Sequence, residues 1–497
     1  MNLSDVLAEQ VGFAAADIEQ MHQAALRVLS EVGLSVENPA ALEVLADAGV
    51  RIEGQRAFFE PSFVQEQLVA IRQVREAERA TTPRPGGSVR RSAAAGKLAT
   101  CPTPVTVTVG DMCQYYHNPF TNEIGLMTTA DLVEATRCVE SMRDVGLGGY
   151  VPGVPRDVPQ QLQAIVEYRI GAEFTRQVTL DTLNPPEALD YLFEMAEAFG
   201  DPLESGGMFS VSPLRLSGYE FDVAVRHAAR WKRFWVTTYP MVGATAPIRL
   251  RSAWVLSIAE ALGGAVTLHL IGGGKPVHVS IGMFPFDLRT FGAVGGMPEC
   301  AWMYWASAQI TRYYDPGAGY SMMLSTQAKR PGPQAGLEKG LAGAFGVMTG
   351  CNDLHYVGVM SFDDIFSPEQ MVLDCELRDA LEQLDRGIPP QTAAQWVEDI
   401  REGIGSGYTA VDTTLDHYRD TYWFPRLLDR TTWHTFQAGR GKPERECVRE
   451  ELRSRLDRYD YRPPQPAIQE VRRIFAEAWK RLGGDPHAQV LPLLYND

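Results

Sequence analysis

Metal and nucleophile chemistry would have to be built from seven cysteines and nine histidines, and their spacing offers neither. A His/Cys zinc site shows itself as His-x-Cys or Cys-x-x-Cys, and neither occurs. Cys300, Cys351 and Cys375 each sit alone in apolar surroundings and read as small core residues. Asp353-Leu-His355-Tyr-Val-Gly358 has the Asp-x-His-x-x-Gly spacing with which some B12 domains present a histidine to cobalt. Its companion, a Ser-x-Leu about 40 residues further on, is missing, and the run itself reads as a strand. Gly272-Gly-Gly274-Lys275 and Gly292-Ala-Val-Gly-Gly296 lack the Walker and Rossmann spacings, and tight helix–strand turns explain both.

What remains is polar and aromatic. The segment from Ser325 to Lys339 is the richest in polar groups: Gln327, Lys329, Arg330, Gln334 and Glu338 all fall within it. It follows a strand-like run and leads into a helical pattern, so these five are candidate substrate-binding residues; Glu338 and Lys339 read equally well as surface positions of the helix. Tyr150, Tyr239, Phe284, Phe286, Tyr313, Tyr314 and Tyr320 lie near expected strand ends. Ring faces attract a quaternary ammonium by about 0.5–2 kcal/mol each. Tyr239 and Tyr320 are the two chosen as substrate-binding residues. Trp302, Tyr304 and Trp305 follow a helical pattern and are expected to pack.

The elements that must position these residues alternate. Short apolar runs at Phe234–Pro240, Val277–Met283, Gly319–Thr326 and Leu354–Met360 are separated by helical patterns. Runs apolar on both faces belong to a buried parallel sheet, and repeated strand–helix units predict an α/β protein, a (β/α)8 barrel with chemistry at the C-terminal strand ends. Strand ends are expected near Val151-Pro152, Asp181-Thr182, Ser210–Pro213, Thr238–Pro240, Ser280–Met283, Ser325-Thr326 and Gly358–Met360, with Leu98–Val109 as an eighth strand. Residues 1–97 read as an N-terminal extension, 98–390 as the barrel and 391–497 as a C-terminal helical region packed on it. The extension carries two amphipathic helices between Ala16 and Ala48, with Gly33 past a helix end, and Thr81–Gly96 reads as a linker. Helices are expected over Thr129–Met142, Glu369–Leu384, Trp433–Leu456 and Val471–Leu482.

A formal net charge of -16 excludes a basic face for nucleic acid. It suits a cationic substrate. Scattered cysteines fit a reducing compartment. Uncharged runs such as Phe234–Ile248 are too short or too broken by glycine and proline to span a membrane. The expectation is a soluble cytoplasmic protein.

Taken in order along the chain, four motifs resemble the trimethylamine methyltransferase family, in particular its members without pyrrolysine that act on quaternary amines. They are Ile18-Glu-Gln-Met-His22 through Leu29–Val36, Gly243-Ala-Thr-Ala-Pro247 with Ala259-Glu260, Gln334-Ala-Gly-Leu-Glu-Lys339, and Ser367–Asp374. The resemblance implies a TIM barrel that moves a methyl group from a betaine-type amine to cob(I)alamin carried by a separate corrinoid protein. It implies no tightly bound cofactor and no metal, and it names no catalytic side chain. A homo-oligomer is compatible with it. Where the pyrrolysine-containing members carry that residue, this chain has Ser325–Gln334, with Lys329 the nearest counterpart. The family's Pro-Asp-Ala-Gln is here Pro331-Gly-Pro-Gln334, and a His-Thr-Leu is here Thr413-Thr-Leu415. Two other functions are open to such a fold: a non-catalytic methylated-amine binding protein, and a barrel lyase or isomerase.

Overall fold

The computed structural model describes residues 12–81, 105–177 and 186–487. Its centre is a set of parallel strands: β1 (Thr106–Val109), β2 (Leu147–Gly148), β3 (Ser205–Phe209), β4 (Arg233–Thr238), β5 (Val277–Ile281), β6 (Ser321–Met323) and β7 (Asp353–Val357). They form two parallel arcs, β6-β7-β1-β2 and β3-β4-β5. Helices separate them in the expected alternation: α4 (Thr129–Glu140), α5 (Gln160–Phe174), α6 (Leu189–Phe199), α7 (Tyr219–Arg226), α8 (Leu250–Ile271), α9 (Pro298–Tyr314), α10 (Pro333–Met348) and α11 (Pro368–Arg386). The mixed α/β architecture agrees with the expectation. The strand expected at Asp181-Thr182, between α5 and α6, and the start of the Leu98–Val109 run lie outside the described residues.

The strands are not apolar on both faces, as the runs had suggested. In β5, Val277, Val279 and Ile281 are buried toward the helices while His278 and Ser280 alternate with them and line a cavity. In β7, Leu354 joins the helix-side core, whereas Asp353 Oδ1 accepts from Thr106 and Thr108 of β1 at 2.8 and 2.9 Å, and its Oδ2 from Ser321 of β6 at 3.0 Å. A period-2 run with small polar residues on one face hides easily among valines and isoleucines. The run at Leu354–Met360 also stops earlier than expected. β7 ends at Val357, and Val359–Met360 turns into an antiparallel pair with Ile365–Phe366.

The N-terminal segment is part of the same body. α1 (Ala15–Arg27), α2 (Pro39–Asp47) and α3 (Pro61–Thr81) precede the barrel strands. The strand Leu34–Val36 pairs with Arg56–Phe58 and, in parallel, with Arg215–Leu216 beyond β3. Gly33, at φ +75°, turns the chain into it, where a Cβ would stand 2.8 Å from the Ala57 carbonyl. Leu26, Leu29 and Val36 share one core with Leu262, Val236 and Val279, so no boundary separates the extension from the parallel strands and their helices. α8 is 22 residues long and apolar enough to cross a membrane by length and composition, longer than any run noted above, and 83% of its apolar window is buried inside the molecule.

The C-terminal region divides. α14 (Glu444–Asp457) and α15 (Gln465–Arg481) bury Val448, Leu452, Ile468, Ile474 and Phe475 in the second core, together with Leu162 and Leu192. α12 (Ala393–Gly403) and α13 (Asp412–Thr421) are not packed on the barrel: Gly403 is the one buried residue in them. The helix expected over Trp433–Leu456 is broken, since Gly439 at φ +72° and Pro443 end one segment before α14 begins.

Candidate functional site

Successive parallel strands place their first residues beyond the C-terminal end side by side. Phe209 ends β3, Tyr239 follows β4 and Phe284 lies just past β5. The Tyr239 ring stacks on Phe284 with centroids 4.7 Å apart and on Phe209 at 5.9 Å. Phe284 meets Phe362 edge-on at 5.2 Å and Tyr304 at 6.3 Å. The result is a wall of five rings from five segments. It adjoins a cavity of about 350 Å³ lined by Tyr239, Tyr304, Met323, His278, Ser280 and His355.

Electrostatics around the wall favours a cation. Burial pushes the hydroxyls of Tyr304 and Tyr356 well above the ordinary tyrosine value, so both rings stay neutral. Asp363 and Asp111 lie close enough to Tyr356 to add to its shift. Burial, with Asp364 beside it, raises Asp363 itself to about 6. Asp111 accepts from the Tyr150 hydroxyl at 2.7 Å. At the opposite end of the strands α3 closes the bottom. Asp315 Oδ2 meets Arg75 at 3.0 Å and Oδ1 meets Arg79 at 2.6 Å, with His278 3.6 Å from Oδ2. Burial alone would raise Asp315; the His278 hydrogen bond and the Arg75 and Arg79 guanidinium groups hold it far below the usual carboxylate range.

The seven sequence-derived residues fall into three places. Tyr239 stands in the wall. Tyr320 lines the same cavity from the other end, because it precedes β6 rather than following it. It is buried against Trp305, and its hydroxyl lies 3.1 Å from Thr349 Oγ1. Tyr313 and Tyr314 likewise sit on the last turn of α9, beside His22, and not at a strand end.

Of the other five, Gln327, Lys329 and Arg330 lie in the loop between β6 and α10, and Gln334 and Glu338 in the first turns of α10. Glu338 organises the loop, accepting from Thr326 Oγ1, from the Gln327 amide at 2.8 Å and from Gln334 Nε2 at 2.9 Å. Gln327 Nε2 donates to the Ala293 carbonyl at 3.1 Å, and Lys329 Nζ to the Gln327 carbonyl at 2.8 Å. Lys329, Arg330 and Gln334 are exposed, and Arg330 reaches the Asn122 carbonyl at 3.3 Å. The Gly292–Gly296 run is no simple helix–strand turn. Gly292-Ala293 pairs with Phe286-Asp287, and Gly296 lets the Glu338 carboxylate approach to 2.6 Å from where a Cβ would be.

Five supporting residues, Tyr304, Lys339, Asp374, Gln370 and Glu260, have roles that residue type and spacing do not show. Tyr304 points from α9 into the cavity and donates to Met323 Sδ at 2.8 Å; a helical pattern does not say which helix face meets a site. Lys339 is fully buried, not at the surface. Its Nζ donates to Asp374 Oδ2 at 2.7 Å and to the Tyr356 carbonyl at 3.2 Å, while the same Oδ2 accepts from the Gly358 amide at 2.8 Å. Gln370 holds Asp374 Oδ1 at 2.8 Å. Two sequence motifs quoted above, Gln334–Lys339 and Ser367–Asp374, thus meet in one clamp on the end of β7. There Tyr356 is forced to φ +67° and Gly358 to φ +80°. Glu260 of α8 does the same for the end of β3, accepting from Ser210 at 3.0 Å, Ser212 at 2.7 Å and the Leu214 amide at 2.8 Å. The signal available was charge inside apolar helical patterns. Among the described residues, no three His, Cys, Asp or Glu side chains gather as a metal site would require.

Parallel α/β proteins with a wall of aromatic rings beside a cavity are suited to small organic cations. This chain belongs to the trimethylamine methyltransferase (MTTB) family, whose sequence model matches residues 7–481. It is 28% identical over 291 residues to trimethylamine methyltransferase MttB2 of Methanosarcina mazei, covering 56% of this chain and 58% of that protein. The glycine betaine methyltransferase of Desulfitobacterium hafniense is 23% identical over 440 residues, 84% of this chain and 87% of that one. The proline betaine:corrinoid methyltransferase of Eubacterium limosum is 28% identical over 241 residues, 47% of each chain. The matches to the trimethylamine enzymes and to the proline betaine enzyme thus span less than two thirds of those proteins. Among solved structures, the monomethylamine methyltransferase of Methanosarcina barkeri aligns over 97% of this chain and 92% of that one, with a TM-score of 0.40 and 9% identity.

Proposed function

We propose that this protein is a cytoplasmic methyltransferase that moves a methyl group from a quaternary, betaine-type amine to Co(I) of a separate corrinoid protein. The observation that carries the reading is the wall of Phe209, Tyr239, Phe284 and Tyr304 beside the carboxylates of Asp111 and Asp363. The family and the named betaine relatives point the same way. On this reading the two parallel arcs, β6-β7-β1-β2 and β3-β4-β5, belong to one (β/α)8 barrel.

The chemistry asks for position more than for acid or base. Co(I) attacks the methyl carbon, the C–N bond breaks, and its electron pair stays on nitrogen. The product amine is neutral, so no proton moves. The protein's part is to hold the N–CH3 bond toward the barrel mouth and to keep water out. Rings do both, because they attract the cation without donating a proton that would compete for Co(I). On this reading Tyr239 contacts the ammonium, Tyr320 bounds the far end of the cavity, and Gln327 or Lys329 meets the carboxylate of a betaine. Arg330 and Gln334 shape the loop's outer edge, and Glu338 sets its course.

The test is incubation with a Co(I) corrinoid protein and a panel of glycine betaine, proline betaine, carnitine, tetramethylammonium and trimethylamine, followed by cobalt absorbance. Methylation with at least one quaternary amine is expected. Binding of such an amine without any cobalt methylation supports a binding protein instead. Failure of every amine to bind removes both.

A further inference from the structure

Between α11 and α14 the chain makes an excursion that the barrel does not use. It leaves at Gly387 and returns at Arg426-Leu427, where both backbone amides donate to Glu376 of α11 at 2.7 and 3.1 Å. Within it, α12 and α13 each carry an apolar stripe at helical spacing. Trp396, Val397, Ile400 and Ile404 mark one, and Leu415 and Tyr418 the other. In a monomeric fold such stripes face a core. Here they face solvent: Trp396 is 53% exposed, Ile400 57%, Ile404 72% and Leu415 65%.

We infer that this arm is the interface through which two copies of the chain associate. Size argues for it. Ile388, Tyr422 and Phe424 extend the exposed set. About half of each aromatic side chain's roughly 150–250 Å² is uncovered, and with Ile388, Val397, Ile400, Ile404 and Leu415 added the arm's exposed apolar area is on the order of 800 Å², near what one partner contributes to a stable interface. A soluble monomer seldom leaves an apolar patch beyond roughly 300–600 Å².

Place argues for which partner. The second half of α11 lies at the N-terminal strand ends: Glu382 accepts from the Val105 amide at 2.7 Å, and Arg378 donates to the Val145 carbonyl at 2.7 Å. These residues stand just before β1 and β2. The arm is tied to this half, through Gln383 to the Thr421 carbonyl at 3.1 Å and Arg426 to Asp379 at 3.2 Å. A corrinoid protein must reach the other end, where the ring wall opens. It must also come and go each turnover, which suits a more polar contact. A second copy is present wherever the first is and can keep the stripes permanently covered.

The experiment is sedimentation equilibrium of the full chain, wild type beside Ile400→Glu and Trp396→Glu/Leu415→Glu. Neither change touches the cavity, and each of the three side chains is more than half exposed. Wild type is expected at a multiple of the chain mass, and the variants at a lower mass with unaltered circular dichroism. Cysteine placed at Ile404 should give a cross-linked peptide joining two arm segments. A monomeric wild type overturns the inference. So does an oligomer whose mass the variants leave unchanged, or a cross-link from residue 404 to another part of the same chain.

Discussion

Tyr239 and Tyr320 have the same chemistry and different surroundings. Tyr239 stacks between two phenylalanines at the strand ends; Tyr320 is sealed against Trp305 with its hydroxyl at Thr349. Tyr239→Ala is therefore expected to weaken tetramethylammonium binding by about 0.5–2 kcal/mol with little change in melting temperature. Tyr320→Ala should instead lower stability by about 3–5 kcal/mol as a large buried ring is removed. Calorimetric titration and thermal unfolding of both variants check the pair of outcomes, and equal binding losses would return Tyr320 to the ammonium site. Asp363 gives a pH dependence. Its folded pKa of about 6 lies above the ordinary value of about 4, so its contribution to stability is present below about 4 and is lost as pH rises through about 6. Only the ionised form attracts a cation, so affinity for a quaternary ammonium should rise across the same window. Titrations at a series of pH values check this, and Asp363→Asn should flatten the curve.

At the scale of elements, two loops are held by charge placed where the sequence showed only helices. Lys339 and Asp374 join α10 to α11 and fix the turn that ends β7. Lys339→Met leaves Asp374 buried without its cation and should cost about 3–5 kcal/mol, read by denaturant unfolding; Asp374→Asn with intact Lys339 should cost a similar amount. The loop from Ser325 to Gln334 rests on Glu338, leaving Lys329 beside Gln327 and Arg330 facing out. Lys329→Ala is expected to reduce methyl transfer from a carboxylated betaine more than from tetramethylammonium. An equal loss for both, restored by more corrinoid protein, would place Lys329 in docking. The existence and order of these strands and helices were legible, because alternation and helical spacing repeat over long stretches. Which helix face met the site was not: Tyr304 obeys the same periodicity as Trp305, and only packing turns it inward.

For the whole molecule, the extension and the barrel cannot be parted. The N-terminal helices share a core with β3, β4, β5 and α8, and α3 supplies Arg75 and Arg79 to Asp315 beneath the cavity. A chain beginning at Val105 would expose that core and should fail to fold cooperatively; a sharp thermal transition from the truncated protein would contradict this.

The sequence alone determined the strand–helix alternation, the acidic composition and the motifs that mark the family, since each is a matter of residue type and spacing along one dimension. Tertiary structure decided the rest. Lys339 and Asp374 are 35 positions apart, and β1, the first of the parallel strands, pairs with β7, the last. Periodicity cannot report such contacts, because a helix or strand repeats identically whatever lies opposite it. It likewise shows an apolar stripe on α12 without showing that no part of the described chain covers it. A side chain's burial, and with it its charge and its role, depends on neighbours that only the folded chain brings together.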